Sequence, residues 1–248
     1  MRALILFFAI TAPLALVALW PHAPLAGAAL VVVSHLLLLY ATLRPNVQWL
    51  GPVVTHFVTP RKEVWLTIDD GPTDDTRAVL DLLDRHGAKA TFFVTGVLIE
   101  QQAGIVQEML KRGHTVANHS HTHPSGSFWC SLPGRVASEI DACNRAIAAA
   151  AGTAPHWFRA PVGMKNFTVH PALARRGLRL IGWTARGFDA VRSDPQKVLA
   201  RILPDLCPGA IIVLHQGREH SIRVMEHVIV SLKERGYGLV IPDDAQLR

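Results

Sequence analysis

Hydrophobic residues dominate the beginning of the chain. One apolar run covers about 3–20 and a second covers about 25–43, with the short segment PHAP between them. Each run is near the ~20 residues needed to cross a ~30 Å hydrocarbon core. The pattern predicts a transmembrane hairpin over 1–44. A cleaved signal peptide in place of the first run is the alternative, although no clear cleavage site precedes the second run.

From residue 61 onward, strand-like and helix-like patterns alternate, after a linker with scattered Pro and aromatic residues over 45–60. Helix-like segments such as DTRAVLDLLDRHG have apolar residues on one face, and several end at a Gly, the common C-terminal cap. Strands that alternate with helices are typical of parallel sheets with right-handed crossovers. Over 61–248 the pattern predicts a small β/α barrel or a doubly wound sheet. The strand-like segments lie at 64–69, 90–94, 114–118, 156–159, 179–184, 210–215 and 238–241.

Composition and charge narrow the choice of partners. The chain is 50% hydrophobic and 18% charged, with a formal net charge of +6. This basic excess is modest and includes no long basic run or aromatic ladder, which argues against nucleic acid as a partner. A slightly basic domain beside a hairpin suits membrane lipids with anionic headgroups. The three cysteines have no CxxC spacing, so a disulfide framework is not expected.

Ionisable residues stand at the C-terminal ends of several predicted strands. In parallel β/α folds these strand ends converge on one face, where active sites lie. Their distribution therefore predicts one polar rim and favours the barrel over the open sheet. The residues are Asp69 and Asp70 after the first strand, the segment 118–123 (NHSHTH) after the third, Arg159 at the fourth, Asp189 past the fifth and His215 at the sixth.

Two adjacent aspartates in LTIDDGPTDD need an explanation, because one ionised carboxylate raises the pKa of the other. A helix cap and two solvated charges are the simple alternatives. His119 and His123, four residues apart, could join one of these aspartates in a site of two imidazoles and one carboxylate. Catalytic zinc takes three protein ligands of these kinds. One carboxylate would then bind the cation, and the other would remain free as a general base.

The motifs TIDDGP, HSHTH, RAPVG and LHQG occur in this order at strand ends. In these motifs the chain resembles the polysaccharide deacetylase family (NodB-like, carbohydrate esterase family 4), which includes rhizobial chitooligosaccharide deacetylases. The resemblance covers about 61–245. It implies a distorted (β/α)7 barrel, here preceded by the hairpin. It also implies a metal-dependent hydrolase that removes an acetyl or formyl group from the nitrogen of an amino sugar.

The resemblance further implies a role for each matching residue. The metal would be divalent, usually Zn²⁺, and His121 matches no ligand of the family. The implied assignments are Asp69 as the base, Arg159 as the partner that keeps Asp69 ionised, Asp70, His119 and His123 as metal ligands, His215 as the general acid, and Leu214, Pro161 and Trp183 as substrate contacts.

Two segments depart from the family pattern. WTARGFDA has Arg186 and Ala190 at the first and last positions of an expected Asp-x-x-Asp-Trp, so only Asp189 matches. Gln216 replaces an Asp that is common after the acid histidine. We expect Asp189 to take the role of the carboxylate that orients His215. The departures leave a catalytically impaired sugar-binding pseudoenzyme as the alternative, and a membrane scaffold as a third function class.

The motifs leave several N-acyl hexosamine substrates open, namely chitin oligomers, peptidoglycan and polyprenyl-linked sugars. The loop PSGSFWCSLP (124–133) has a composition that predicts exposure of Phe128 and Trp129. Such a loop could stack on a sugar ring or form a packed lid.

The distribution of positive charge predicts the membrane side. Arg2, Arg44, Arg61 and Lys62 flank the hairpin, whereas PHAP has no Lys or Arg. By the positive-inside rule, the protein would span a bacterial inner membrane with its domain on the cytoplasmic face. An amino sugar carried on a polyprenyl phosphate in the inner leaflet would then be the preferred substrate.

Overall fold

The computed structural model describes residues 1–248, except for the side chain of Ala103. It begins with two long apolar helices that pack against each other at Gly27, where a Cβ atom would come within 2.7 Å of the Leu16 Cα atom. Only a glycine permits this close approach. The helices are α1 (Arg2–Leu19), α2 (Pro24–Leu43), α3 (Thr76–Arg85), α4 (Gly96–Gln101), α5 (Ala103–Lys111), α6 (Pro133–Ala151), α7 (Val169–Ala174), α8 (Pro195–Ile202) and α9 (Ser221–Glu234).

The strands form a curled parallel sheet, a half-barrel with helices on its outer face. Their order is β5-β4-β3-β2-β1-β7-β6, and β8 pairs with the beginning of β1. This confirms the α/β fold with parallel strands and crossover helices that the alternating pattern predicted. The strands are β1 (Glu63–Gly71), β2 (Ala90–Val94), β3 (Thr115–Asn118), β4 (Trp157–Phe158), β5 (Arg179–Leu180), β6 (Ala185–Arg186), β7 (Ile211–His215) and β8 (Gly238–Leu239).

The central strands have apolar residues on both faces because each face is covered. Along β1, Leu66 and Ile68 pack outward against the helices. Trp65 instead points inward, with Phe93 and Val213. Successive side chains of a strand point to opposite faces. This alternation carries Asp69 to the inner face at the C-terminal end of β1.

Two elements differ from the sequence expectation. Of the predicted strand over 179–184, only Arg179–Leu180 forms a strand, β5, and β6 begins after the predicted range, at Ala185. Between them the chain pairs elsewhere, because the N–H of Gly182 donates to the carbonyl of Val54 (2.8 Å) and Ile181 forms a bridge with the same residue. Helix α4 was not predicted at all. Its sequence GVLIEQ is only six residues long and follows directly on the preceding strand, so the periodic signal is weak.

The segment expected to be a linker packs onto the domain. Its apolar residues Leu50, Val53, Val54 and Phe57 are buried. The end of α2 is also held, because the buried Lys165 donates from Nζ to the carbonyls of Arg44 (2.9 Å) and Pro45 (2.7 Å). A cation at a helix C-terminus compensates the negative end of the helix dipole. The hairpin is therefore joined to the domain by a packed connection.

The outer surface of the hairpin is strongly apolar. Its two helices have mean hydropathies of 2.2 and 2.0 over 18-residue windows, and both are long enough to cross a membrane. Large apolar side chains such as Phe7, Ile10, Val17 and Leu25 are exposed. The one buried polar side chain of mid-α2, Ser34, donates to the carbonyl of Val31 (2.9 Å).

Candidate active site

The pair of aspartates at the end of β1 points into the half-barrel because the backbone turns there. Asp70 has a φ of 73°, and the pairing with β2 shifts register between Asp69 and Gly71. Without this irregularity, neighbouring side chains would lie on opposite faces of the sheet. A left-handed conformation is unfavourable for a residue other than glycine, and such strain is concentrated at functional sites.

Asp69 is buried and held by Arg159. The Arg159 Nη1 donates to Asp69 Oδ1 (2.6 Å) and to the Thr67 hydroxyl (2.8 Å). The Arg159 Nε and Nη2 donate to the carbonyls of Ile181 (3.3 Å) and Gly182 (2.9 Å), respectively. Oδ1 is therefore engaged, and Oδ2 lies 3.8 Å from the Nε2 of a histidine that follows β3. A buried charge-assisted pair of this kind fixes the orientation of the carboxylate.

That histidine, His119, forms a compact cluster with Asp70 and His123. Asp70 Oδ1 lies 3.5 Å from His119 Nε2 and 3.4 Å from His123 Nε2, and one donor atom from each residue lies within 4.8 Å of the others. His119 Nδ1 donates to the carbonyl of Arg159 (2.9 Å), so Nε2 is the ring nitrogen that faces Asp70. These three donors fit a divalent metal of the zinc type.

The protonation states suit the same use. Burial, followed by the neighbouring His119, lowers the pKa of His123 to about 4, so its imidazole is neutral near pH 7. Burial alone would raise the pKa of Asp70, but the hydrogen bond and charge of His119 outweigh it and hold that pKa below its usual range. Neutral imidazole and ionised carboxylate are the ligand forms that bind metal.

The loop that carries both histidines is organised by Glu139 of α6, a residue that the sequence did not single out. Its carboxylate accepts from the backbone N–H groups of His121 (3.0 Å) and Thr122 (2.8 Å) and from the Thr122 hydroxyl (2.7 Å). His121 itself turns away, and its Nε2 lies 4.0 Å from a carboxylate oxygen of Glu100. It lies outside the cluster, in agreement with its missing match to the family ligands.

On the opposite wall, His215 at the end of β7 meets Asp189. The His215 Nδ1 is 2.9 Å from Asp189 Oδ1, and the His215 backbone N–H donates to Oδ2 (2.6 Å). Burial alone would lower the pKa of His215, but the hydrogen bond and charge of Asp189, with smaller contributions from Asp69 and Asp70, raise it. A histidine with a raised pKa is suited to donate a proton.

One cavity of about 540 Å³ is lined by Asp69, Asp70, His119, His123 and His215. Among the predicted substrate contacts, Trp183 lies in its wall. Leu214 does not, because β7 alternates and Leu214 faces the outer core, while its neighbour Val213 lines the cavity. Pro161 is buried and does not line the cavity, whereas the next residue, Val162, does. Lining residues that the sequence did not identify include Thr95, Leu98, Thr122, Ser125, Val191 and Arg218.

The departures from the family pattern fall in different places. Arg186 and Ala190 line the cavity, whereas Gln216 is buried behind it and accepts from the Thr76 hydroxyl (3.1 Å). The carboxamide of Gln216 also fills the space beside Gly71, where a Cβ would come within 1.4 Å of it. The change at 216 therefore does not touch the cavity surface.

Apart from Ser125, which lines the cavity, the loop over 124–133 packs away from it. Phe128 was expected to be exposed but is buried, with its ring 6.0 Å from that of Phe158 in a cluster beneath α6 and α7. Trp129 is partly buried in a groove shared with Leu38 and Thr42 of α2. The exposure predicted from composition was wrong for Phe128, because the Ser and Gly residues form a tight turn around its buried ring. The loop is packed and does not present these rings to a sugar in the cavity.

Known proteins resemble this chain in sequence and in fold. A family model described as polysaccharide deacetylase matches residues 57–181. A chitooligosaccharide deacetylase of Bradyrhizobium is 34% identical over 198 residues, which cover 73% of this chain and 90% of that protein. The peptidoglycan-N-acetylglucosamine deacetylase PgdA of Listeria monocytogenes is 32% identical over 74% of this chain and 38% of its own length.

Solved structures of similar fold include a carbohydrate esterase and a pseudoenzyme. The family 4 carbohydrate esterase of Streptomyces lividans, in complex with acetate, has a TM-score of 0.69 and 28% identity, and covers 75% of this chain and 96% of its own. A carbohydrate esterase family 4 pseudoenzyme of Bacillus anthracis, BA3943, has a TM-score of 0.68 and 26% identity, over 75% and 66% of the two chains. The shared fold alone therefore does not distinguish a catalyst from a binding protein.

Proposed function

The chain belongs to the polysaccharide deacetylase family, and we propose that it hydrolyses the N-acyl group, acetyl or formyl, of an amino sugar within a glycan or a lipid-linked saccharide. The observation that carries the proposal is the arrangement of three ionisable groups around one cavity. They are the Asp69–Arg159 pair, the cluster of Asp70, His119 and His123, and the His215–Asp189 pair.

Asp70, His119 and His123 are proposed to hold the divalent metal, which we assign as Zn²⁺ from its preference for imidazole and carboxylate ligands. Such a metal supplies Lewis-acid chemistry, because it polarises a carbonyl and lowers the pKa of water. The hydrogen bond from His119 Nδ1 to the carbonyl of Arg159 orients one ligand in advance.

Asp69 is proposed to accept the proton from the water that attacks the acyl carbon. Its Oδ1 is engaged by Arg159, and its Oδ2 faces the side of His119. Arg159 pairs with the carboxylate and fixes its orientation. A base in this position contributes ~10²–10⁴-fold to the rate.

His215 is proposed to protonate the departing sugar nitrogen. Asp189 accepts a hydrogen bond from His215 Nδ1, so the second ring nitrogen, Nε2, is left to donate into the cavity. The raised pKa of His215 favours the protonated form that this step needs. Asp189 thereby serves in place of the carboxylate that the family pattern would supply elsewhere.

We also propose that 1–44 anchor the protein in a membrane, that 45–60 form the packed connection, and that 61–248 form the catalytic domain. The cavity lies beside the end of the anchor. Asn46 donates to the carbonyl of Trp183 (2.7 Å), and Pro45 lies so close to Gly163 that a Cβ there would come within 2.9 Å of the Pro45 side chain. Trp183 and Gly163 both line the cavity.

This packed connection supports the proposal that the substrate is itself held at the bilayer. A catalytic cavity beside the end of α2 is suited to a short saccharide on a polyprenyl phosphate, and it has little reach into mature cell-wall polymer. With the basic flanks of the hairpin on the cytoplasmic side, that substrate would lie in the inner leaflet. Chitooligosaccharides and peptidoglycan, the substrates in the names of the two relatives, are the alternatives.

A sugar-binding pseudoenzyme is the competing function. The similarity of this chain to the Bacillus anthracis pseudoenzyme is the observation that favours it. The completeness of the ionisable groups around the cavity argues for catalysis. The test is to purify the full chain in detergent and measure its metal content together with acetate or formate release from N-acyl glucosamine oligomers, peptidoglycan and polyprenyl-linked sugars. Release that depends on Asp69 supports the proposal, and metal-replete protein that releases no acid from any of them would overturn it.

The membrane side has its own test. Fluorescent-protein and alkaline-phosphatase fusions at the C-terminus report a cytoplasmic and an external domain, respectively. We expect a fluorescent fusion and an inactive phosphatase. The reverse pattern would place the domain outside and make peptidoglycan or a secreted glycan the preferred substrate.

A further inference from the structure

Arg186 is a charged residue of the cavity wall that the proposed mechanism does not use. It ends β6, opposite Val213 of β7, and its side chain extends into the cavity. The guanidinium carbon lies 5.0 Å from the centre of the Trp183 ring and 4.6 Å from that of Phe188. Stacking against these aromatic faces fixes the guanidinium plane in advance.

This guanidinium has no charged partner. Within the described part of the chain, no carboxylate oxygen lies within 4.0 Å of it, and its buried Nε atom has no hydrogen-bond partner. Two carboxylates, Asp69 and Asp189, act on Arg186 through their charge at longer range, but Asp69 already pairs with Arg159 and Asp189 with His215. A partly buried cation without a partner is costly, and a bound anion would offset that cost.

A second guanidinium lines the same cavity. Arg218 lies after β7, and its Nη2 is 3.5 Å from Asp70 Oδ2, while about half of its side chain (47%) remains exposed. If Asp70 is committed to a metal, Arg218 also has donors to offer to a ligand. Arginine presents paired N–H donors that match the oxygens of phosphate and carboxylate groups.

We propose that the substrate of this cavity carries a negative charge close to its N-acyl group, and that Arg186, with Arg218, binds that anionic substituent. The inference rests on the proposed deacylase function and adds the chemical class of its substrate, an N-acyl amino sugar bearing a phosphate or a carboxylate. A phosphate would be supplied by a sugar phosphate or its lipid diester, and a carboxylate by an acidic sugar.

The test compares matched probes on the full-length protein. Deacylation is measured for N-acetylglucosamine 1-phosphate, N-acetylmuramic acid and neutral methyl N-acetylglucosaminide, in the wild type, Arg186→Gln and Arg186→Lys. Arg201→Gln is the control, because Arg201 stacks on the same Phe188 ring (5.3 Å) from α8 without lining the cavity. Binding of inorganic phosphate is measured in parallel by calorimetry, which needs no turnover.

We expect Arg186→Gln to lower the ratio of kcat/KM for the anionic over the neutral probe by about 10- to 100-fold, as for the loss of a charge-assisted hydrogen bond. Arg186→Lys should retain part of the ratio, and Arg201→Gln all of it. The anionic probe that loses more identifies phosphate or carboxylate as the source of the charge.

The outcomes separate this inference from the function on which it rests. An unchanged ratio in Arg186→Gln, with normal hydrolysis of the neutral probe, would overturn the anion site and leave the deacylase standing. If no probe is hydrolysed by the wild type, the phosphate binding decides. Binding that is weakened in Arg186→Gln and kept in Arg201→Gln supports the anion site, and equal binding in all variants overturns it.

Discussion

The two walls of the cavity are built in different ways. The metal-side wall, named for the metal that we propose it holds, is formed by Asp69, Asp70, His119 and His123 at the ends of β1 and β3. It matches the family motifs without a departure. The acid-side wall, formed by the segment 183–191 and His215, contains an arginine where the family has a carboxylate. Its single carboxylate, Asp189, nevertheless lies 2.9 Å from His215 Nδ1. The metal-side wall therefore retains the residue types of the family motifs. The acid-side wall retains a contact between a carboxylate and the acid histidine, although one expected carboxylate is replaced.

The difference follows from the geometry that each wall requires. The metal-side wall needs donor atoms converging within a few ångströms, so a change of one residue type removes the site. On the acid-side wall, a carboxylate near the imidazole is sufficient, and a loop can deliver it from a different sequence position. Asp189 does so directly after Phe188, which has a φ of 59°. Such a wall leaves room for an unrelated charge such as Arg186.

The largest effects are expected on the metal-side wall. Asp70→Ala or His123→Ala should lower bound zinc and activity together, because each removes one of three ligands. Asp69→Asn should retain the metal and lower kcat by ~10²–10⁴-fold, because it removes the base alone. Metal analysis and kinetics on the same preparations check both. Loss of metal in Asp69→Asn with retention in Asp70→Asn would mean that the two roles are reversed.

A second prediction concerns the support of that wall. Arg159→Met leaves the buried Asp69 carboxylate without its partner, and we expect it to lower the free energy of unfolding by about 3–5 kcal/mol. The matched control is Arg176→Met, which breaks a partly exposed pair with Asp141 (20% and 42% exposed) and should cost about 1 kcal/mol or less. Chemical denaturation in detergent measures both. Equal costs would show that Asp69 tolerates an unpaired charge.

The sequence was sufficient to predict the metal-side wall because its residues lie in short motifs at strand ends. Their distances in space follow from parallel strands ending at one edge. The acid-side wall was only partly predictable. The contact of Asp189 with His215 was expected. The early end of β5, before Gly182, depends on pairing with Val54, more than a hundred positions away, and no local pattern encodes it.

The same limit applies to individual side chains. Leu214 was expected in the cavity and Phe128 on the surface. Their true positions depend on the phase of β7 and on a cluster formed between α6 and α7. Glu139 was missed for a related reason. A single glutamate on a helix gives no sign that its carboxylate accepts hydrogen bonds from a loop that precedes the helix in the chain. Motifs locate a site, whereas its walls depend on long-range packing.

The acid-side wall is tested by the pH dependence of the reaction. His215 must be protonated to act as the acid, so the alkaline limb of the pH–rate profile reports its pKa. Asp189→Asn removes the negative charge that raises this pKa, and the alkaline limb should therefore move to lower pH. The control is Asp205→Asn, an exposed carboxylate after α8. A limb that stays in place in Asp189→Asn would exclude Asp189 as the partner of the acid.

The smallest effect is expected at His121, which stands in the same HSHTH motif as the two ligands and so tests how strictly the metal-side wall is defined. Its Nε2 lies 4.0 Å from a Glu100 oxygen and points away from Asp70, so it supplies no donor to the cluster. The loop is held instead through the His121 backbone N–H, which donates to Glu139 and survives a change of side chain. We therefore expect His121→Ala to keep zinc content and to change kcat/KM by no more than about twofold, the range of a substitution that breaks no specific feature.

Glu139→Gln is the matched comparison for His121→Ala, because it weakens the acceptor of three hydrogen bonds and should lower zinc affinity without removing a ligand. A loss of zinc in His121→Ala as large as in His123→Ala would mean that the motif contributes three imidazoles to the site and that His121 also belongs to the metal-side wall.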